Sequence, residues 1–168
     1  MIRNERKSQL VEIIQKNPGV KFREIMRFSG MKNGVLSHHL SKLEQDGIVQ
    51  VKREPRQTRF FPLEISENES KIIKALRRQT PKDIIQALIL NETLNFKEIV
   101  KEANKSPSTI SLYLSQLVQD SIVGVQLVNR KKTYKLVDKQ TIDKLIDEYH
   151  PGLIEKPISG FEDIFNSL

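Results

Sequence analysis
The chain lacks cysteine altogether. A disulfide scaffold, a thiolate metal site and thiol catalysis are therefore excluded. Long apolar runs are also missing: the longest, Ile-Ile-Gln-Ala-Leu-Ile-Leu at residues 84–90, is interrupted by Gln86, far short of the ~20 residues of a membrane span. The first ten residues carry charges but no apolar segment of the kind a secretory signal needs. A soluble, cytoplasmic protein without membrane contact is expected. There is no glycine-rich phosphate loop and no Ser-His-Asp pattern on plausible elements, and the carboxylates are scattered among Lys and Arg. No enzyme and no cofactor are expected.

What is present is positive charge, unevenly placed. The 168 residues carry a net charge of +7. Residues 1–79 hold 17 Lys+Arg against 9 Asp+Glu, residues 80–137 hold 8 against 5, and residues 138–168 hold 3 against 7. A basic front and an acidic end suggest a polyanion partner for the front. Solvated helix faces explain the same count, so charge alone leaves both readings open.

The chain also repeats itself at an offset of 74 residues. Phe22-Arg23-Glu24-Ile25 falls on Phe96-Lys97-Glu98-Ile99, and Leu40-Ser41-Lys42-Leu43 on Leu114-Ser115-Gln116-Leu117. Gln45-Asp46-Gly47-Ile48-Val49 falls on Gln119-Asp120-Ser121-Ile122-Val123. About 14 of 56 positions are identical between residues 10–65 and 84–139, without a gap. Two copies are too few for a solenoid, which needs three or more; tandem small domains fit better.

In the first copy, Leu10, Ile13 and Ile14 make a helical stripe that Asn17-Pro18-Gly19 breaks. Phe22, Ile25 and Met26 make a second, ended by Gly30, and Leu36, Leu40 and Leu43 a third, ended by Gly47. Residues 48–51 begin to alternate, residues 52–59 form a polar turn, and Phe60-Phe61-Pro62-Leu63 returns as a strand. The second copy follows the same order. Thr80-Pro81 is read as N-cap and first helical residue, and Ser106-Pro107 as the cap of the third helix. Asn129-Arg130-Lys131-Lys132 is read as its turn. A linker helix over 66–78 opens with a capping box of Ser66 and Glu69. Ile142, Leu145, Ile146 and Tyr149 make one face of a helix over 138–150, stopped by His150-Pro151-Gly152. A last short element spans 159–168. The expected fold class is mainly α with small β-hairpin wings (α+β). It divides into a first domain at 1–65, a linker helix at 66–79, a second domain at 80–137 and a C-terminal helix with an acidic tail at 138–168.

Three helices followed by a basic-tipped hairpin resemble the winged helix-turn-helix. Residues 34–49, Gly-Val-Leu-Ser-His-His-Leu-Ser-Lys-Leu-Glu-Gln-Asp-Gly-Ile-Val, look like the recognition helix and first strand of ArsR- and MarR-like regulators, and residues 106–123 are similar. The doubled unit resembles tandem winged-helix transcriptional regulators common in archaea. The resemblance, over residues 5–150, implies a third helix in the DNA major groove and a wing on phosphate or the minor groove.

Candidate DNA contacts follow. Asn33, Gly34, Ser37, His38 and Ser41 lie away from the apolar stripe of the third helix, flanked by Lys32 and Lys42; Asn and His can bond base edges. His39 sits nearer the core and is expected to pack. Adjacent histidines point apart on a helix, and no metal site is expected. The first wing offers Lys52, Arg53, Arg56 and Arg59. The second unit offers Ser106, Ser108 and Thr109 at the start of its third helix and Arg130, Lys131 and Lys132 on its wing. That third helix has no Lys or Arg, and Leu112 and Tyr113 replace His38 and His39. It is therefore read as a weak DNA reader, a phosphate contact or a protein-binding surface. The partners expected are double-stranded DNA, a second copy through the C-terminal helices, and transcription machinery through the acidic tail. The competing reading is a tandem winged-helix protein scaffold or a general transcription factor subunit.

Overall fold
Glycine and left-handed caps set the ends of the elements in the computed structural model, which describes residues 2–153. The order is α1 (Ile2–Lys16), β1 (Val20–Lys21), α2 (Phe22–Ser29), α3 (Asn33–Gln45), β2 (Val49–Glu54), β3 (Gln57–Pro62) and α4 (Glu67–Leu76). It continues with α5 (Gln79–Leu90), β4 (Leu94–Asn95), α6 (Phe96–Ala103), α7 (Pro107–Gln119), β5 (Val123–Val128), β6 (Lys131–Leu136) and α8 (Lys139–Leu153). By contacts the chain forms two units: Met1–Lys74 with Asp143–Leu153, and Ala75–Ile142. The fold is α+β, with helices around two small antiparallel sheets, ordered β1-β3-β2 and β4-β6-β5.

The two cores correspond residue by residue. In the first unit Leu10, Ile14, Val20, Ile25, Leu36, Leu40, Leu43, Val49 and Phe60 form one buried cluster. Their counterparts 74 positions on, from Ile84, Leu88, Leu94 and Ile99 to Ile110, Leu114, Leu117 and Val123, are buried as well. Tyr134, opposite Phe60, is half-buried. Each such side chain contributes about 1.5–3 kcal/mol by leaving water, so the repeat preserves the terms that hold each unit together.

The recognition-type helices end in the same way. Gly47 N–H donates to the Glu44 carbonyl (3.0 Å) and Ile48 N–H to that of Leu43 (2.9 Å). Ser121 and Ile122 repeat the pair on Val118 and Leu117, both at 3.0 Å. This two-bond cap needs a left-handed residue, and Gly47 (φ 67°) and Ser121 (φ 59°) supply it. The wings turn differently. Pro55-Arg56 closes the first; the second closes on Asn129 (φ 52°) and Arg130 (φ 64°), the two-residue turn that suits the twist of a hairpin.

Several elements depart from expectation. The two-residue strands β1 and β4 pair with β3 and β6. They are too short to show alternation in the sequence. Helix α5 opens at Gln79 behind Arg78, so Thr80 is not its cap. Pro81 still fits the first turn, where its missing N–H has no partner to lose. Ser66 and Glu69 do form the capping box of α4, both bonds at 3.1 Å. Helix α8 does not stop at His150-Pro151-Gly152 but runs through them to Leu153. The element expected at 159–168 lies outside the described residues.

Candidate nucleic-acid interface
Helix α3 divides by its period. Leu36, Leu40 and Leu43 are buried and fix the helix to its unit. His39 is also buried, at 5% exposure, so its ring is packed and not offered to a partner. Asn33, Gly34, Ser37, His38, Ser41 and Lys42 are exposed. The Ser37 hydroxyl donates to Asn33 Oδ1 (3.2 Å), holding two polar groups on one outward row. Lys32, just before the helix, is exposed, and Lys42 lies 3.6 Å from Asp46. The outer side of α3 is thus short, polar and cationic at both ends. Among the described residues, no group of three or more His, Asp or Glu could hold a metal ion.

The first wing is more neutral than its composition suggests. Arg53 makes a two-pronged bond to the Glu44 carboxylate at the end of α3, both arms at 2.7 Å. That bond, helped by the charge of Arg53, holds the Glu44 carboxyl below the usual range against burial, which works to raise it. Lys52 pairs with Glu67 of α4, whose carboxyl is lowered by this hydrogen bond and charge. Burial works to raise Glu54, but hydrogen bonds from Lys74 and Gln57 and the charges of Lys74 and Arg59 outweigh it. The wing is therefore tied to α3 at one point and to α4 at two. Arg56, at the turn, is exposed and has no ion pair among the described residues.

Arg59 corrects the sequence reading. It is 3% exposed, and its guanidinium donates to the Gly19 carbonyl (2.9 Å). The cause is the extra strand. β3 begins at Gln57, so Arg59 lies within the central strand, opposite Lys21 of β1 and Lys52 of β2. At that place the guanidinium is buried against the Gly19 carbonyl and is not exposed on the wing surface as expected. Arg23 and Arg27, which the sequence reading did not name, are exposed one turn apart on α2, Arg27 lying over the Phe28 ring. Their four-residue spacing was the available signal.

In the second unit the hydroxyls of Ser106, Ser108 and Thr109 serve the start of α7. Ser106 Oγ accepts from Thr109 N–H (3.3 Å) and lies 2.8 Å from Thr109 Oγ1 and 3.3 Å from Ser108 Oγ. Leu112 is exposed on the outer side. Tyr113 is half-buried, with the Arg78 guanidinium 4.9 Å over its ring and bonded to its hydroxyl (3.1 Å). Arg130, Lys131 and Lys132 are exposed on the wing. On α8, Ile142 and Leu145 of the expected pairing face are buried within the chain, and Ile146 and Tyr149 are half-buried.

Comparison with known proteins finds a likeness for the first unit. Residues 4–73 match the HTH_HVO_0163_N family, described as an N-terminal HTH domain. No curated protein matches the chain. Solved structures with some likeness include the homodimeric winged helix-turn-helix DNA-binding domain (fragment 1–100) of Mb0332 from Mycobacterium bovis, a possible ArsR-family transcriptional regulator. It is 14% identical, over 54% of this chain and 88% of that one, with a TM-score of 0.42. A MarR family transcriptional regulator from Silicibacter pomeroyi is 16% identical, over 80% and 84%, with a TM-score of 0.38. A conserved hypothetical protein from Chlorobium tepidum is 12% identical, over 89% and 98%, with a TM-score of 0.31. No helix of the described residues is long and apolar enough to cross a membrane. With its two three-helix-and-hairpin units, the chain has a tandem winged helix-turn-helix fold, and residues 4–73, within the first unit, are similar to an N-terminal HTH domain.

Proposed function
We propose that the protein is a sequence-specific, double-stranded DNA-binding transcriptional regulator in which the first unit does most of the reading. The observation that supports this most is the outer side of α3. It is exposed and built of short polar side chains with His38 at its centre and Lys32 and Lys42 at its ends. Helices of this kind enter the major groove and bond base edges. Arg56 at the wing turn and Arg23 and Arg27 on α2 supply phosphate contacts. Lys52 and Arg53 can join them, because exposed ion pairs are worth only about 0–1 kcal/mol and a phosphate can replace the carboxylate. In the second unit Arg130, Lys131 and Lys132 offer phosphate contact from the wing, while α7 offers no cation. A scaffold role suits the second unit better than the first, given the exposed Leu112 on α7.

The test is selection of bound genomic fragments, then salt-dependent affinity for a selected duplex. His38→Ala should weaken the selected duplex more than a random one. Arg56→Ala should weaken both and flatten the salt slope by about 0.9. If selection returns no shared sequence, or if neither variant changes binding, the reading fails.

A further inference from the structure
The second wing has an edge that the first wing lacks. In both sheets the first hairpin strand is outermost. In the first unit that strand, β2, reads Val-Gln-Val-Lys-Arg-Glu, and its three charged residues are paired to Glu67, Glu44 and Lys74. Charge on an edge strand is the usual protection against pairing with another chain. In the second unit the strand, β5, reads Val-Gly-Val-Gln-Leu-Val and carries no charge. Val125 is 45% exposed, Leu127 73% and Val128 46%.

The exchange is specific. Glu44 and Arg53, bonded across the gap between α3 and the wing, become Val118 and Leu127 at the matching positions. Beside Val118 and Val125 lies a groove of about 380 Å³, lined also by Phe96, Leu114 and Tyr134 and by the polar Ser111, Ser115 and Gln119. The backbone points outward too. The two-residue turn makes Val128 and Lys131 the closing hydrogen-bonded pair, so the N–H and C=O groups of Val123, Val125 and Leu127 face the open edge.

We propose that β5 pairs edge to edge with β5 of a second copy of this chain. A two-fold axis normal to the sheet makes the pairing antiparallel and places Val125 opposite its own copy and Val123 opposite Leu127. Every cross-strand pair is then uncharged, so two identical edges meet without the like-charge penalty that β2 would impose. The partner's Leu127 lies on the groove side of the joined sheet, beside Val125. The cationic turns at Asn129 and Arg130 point away from each other, roughly 30 Å apart at 3.3 Å per residue, well beyond the ~8 Å screening length at physiological salt. Two of the four residues of the face expected to pair on α8 are buried, whereas Val125, Leu127 and Val128 of β5 are exposed. This pairing is independent of the DNA reading.

Sedimentation equilibrium of the full chain tests it. The wild-type protein should be a dimer in the micromolar range. Val118→Glu with Leu127→Arg copies the first unit's ion pair into the second. It should leave the circular dichroism unchanged and weaken the dimer by about tenfold or more; Leu127→Lys alone serves if the double variant does not fold. Because the chain has no cysteine, Val125→Cys should form a disulfide-linked dimer faster than Val137→Cys, an exposed residue off the edge. A monomeric wild type overturns the proposal, whether the edge is then free or takes a different protein. So does a dimer that the substitutions on β5 leave intact, or equal cross-linking at the two cysteines.

Discussion
At the scale of residues, the two copies reach one backbone conformation with different side chains. Gly47 and Ser121 do one job, the left-handed residue that closes the cap of α3 and of α7. A Cβ at Gly47 would meet nothing within 4 Å, so its cost there is conformational alone. A non-glycine residue in the left-handed region costs about 1–2 kcal/mol. Gly47→Ser should therefore lower the stability of the first unit by about 1 kcal/mol. Ser121→Gly should raise that of the second by a smaller amount, about 0.5 kcal/mol, because glycine also gains freedom in the unfolded chain. Urea unfolding midpoints of the two variants check the signs. A destabilising Ser121→Gly would mean that the serine hydroxyl has a role beyond its backbone. Residue-scale reading of the site was good where one helix decides: the inward Leu36, Leu40 and Leu43 and the packed His39 were legible from period alone. It failed at Arg59, because the burial of that cation depends on a Gly19 carbonyl forty positions away, beside a two-residue strand with no sequence signature.

Elements show the same division. Helices with a full stripe and a capping pair were legible, as Ser66 and Glu69 show at α4. The wing was legible as a hairpin but not as a clamped one, since Glu44 and Glu67 become partners of Arg53 and Lys52 only in three dimensions. That clamp is sensitive to acid. The carboxyls of Glu44, Glu54 and Glu67 all sit below their ordinary value in the folded chain. Groups with lowered folded values stabilise above the unfolded value and lose that contribution as pH falls through the folded one. The attachment of the first wing to α3 and α4 should thus hold at neutral pH and loosen below about pH 4, the ordinary carboxylate range. Amide exchange in β2 and β3 should rise there before it rises in β5 and β6, whose strands carry no acidic residue. Equal acid response in the two wings would show that the ion pairs do not hold the first one.

For the whole molecule, a repeat that keeps its core and changes its surface implies unequal roles. All the buried aliphatic positions of the first cluster are buried in the second copy, whereas His38, Lys42 and Arg53 are exchanged for Leu112, Gln116 and Leu127. Reciprocal exchange tests whether that inequality is functional. Placing the second unit's residues in the first, His38→Leu with Lys42→Gln, should remove a base contact and a cation together. Discrimination between selected and random duplex should collapse, and the salt slope should flatten by up to about 0.9 for the one lysine. The opposite graft, Leu112→His with Gln116→Lys, leaves the Ser106 cap in place and adds one cation to α7. It should steepen the slope by no more than the same amount, and only if α7 reaches DNA. Each pair lies on exposed positions, where substitutions ordinarily change stability by less than about 0.5 kcal/mol, so binding can be compared between folded proteins. If the first exchange leaves discrimination intact while the second alters it, the reading unit is the second one. The charge asymmetry between the halves would then say nothing about which of them meets DNA.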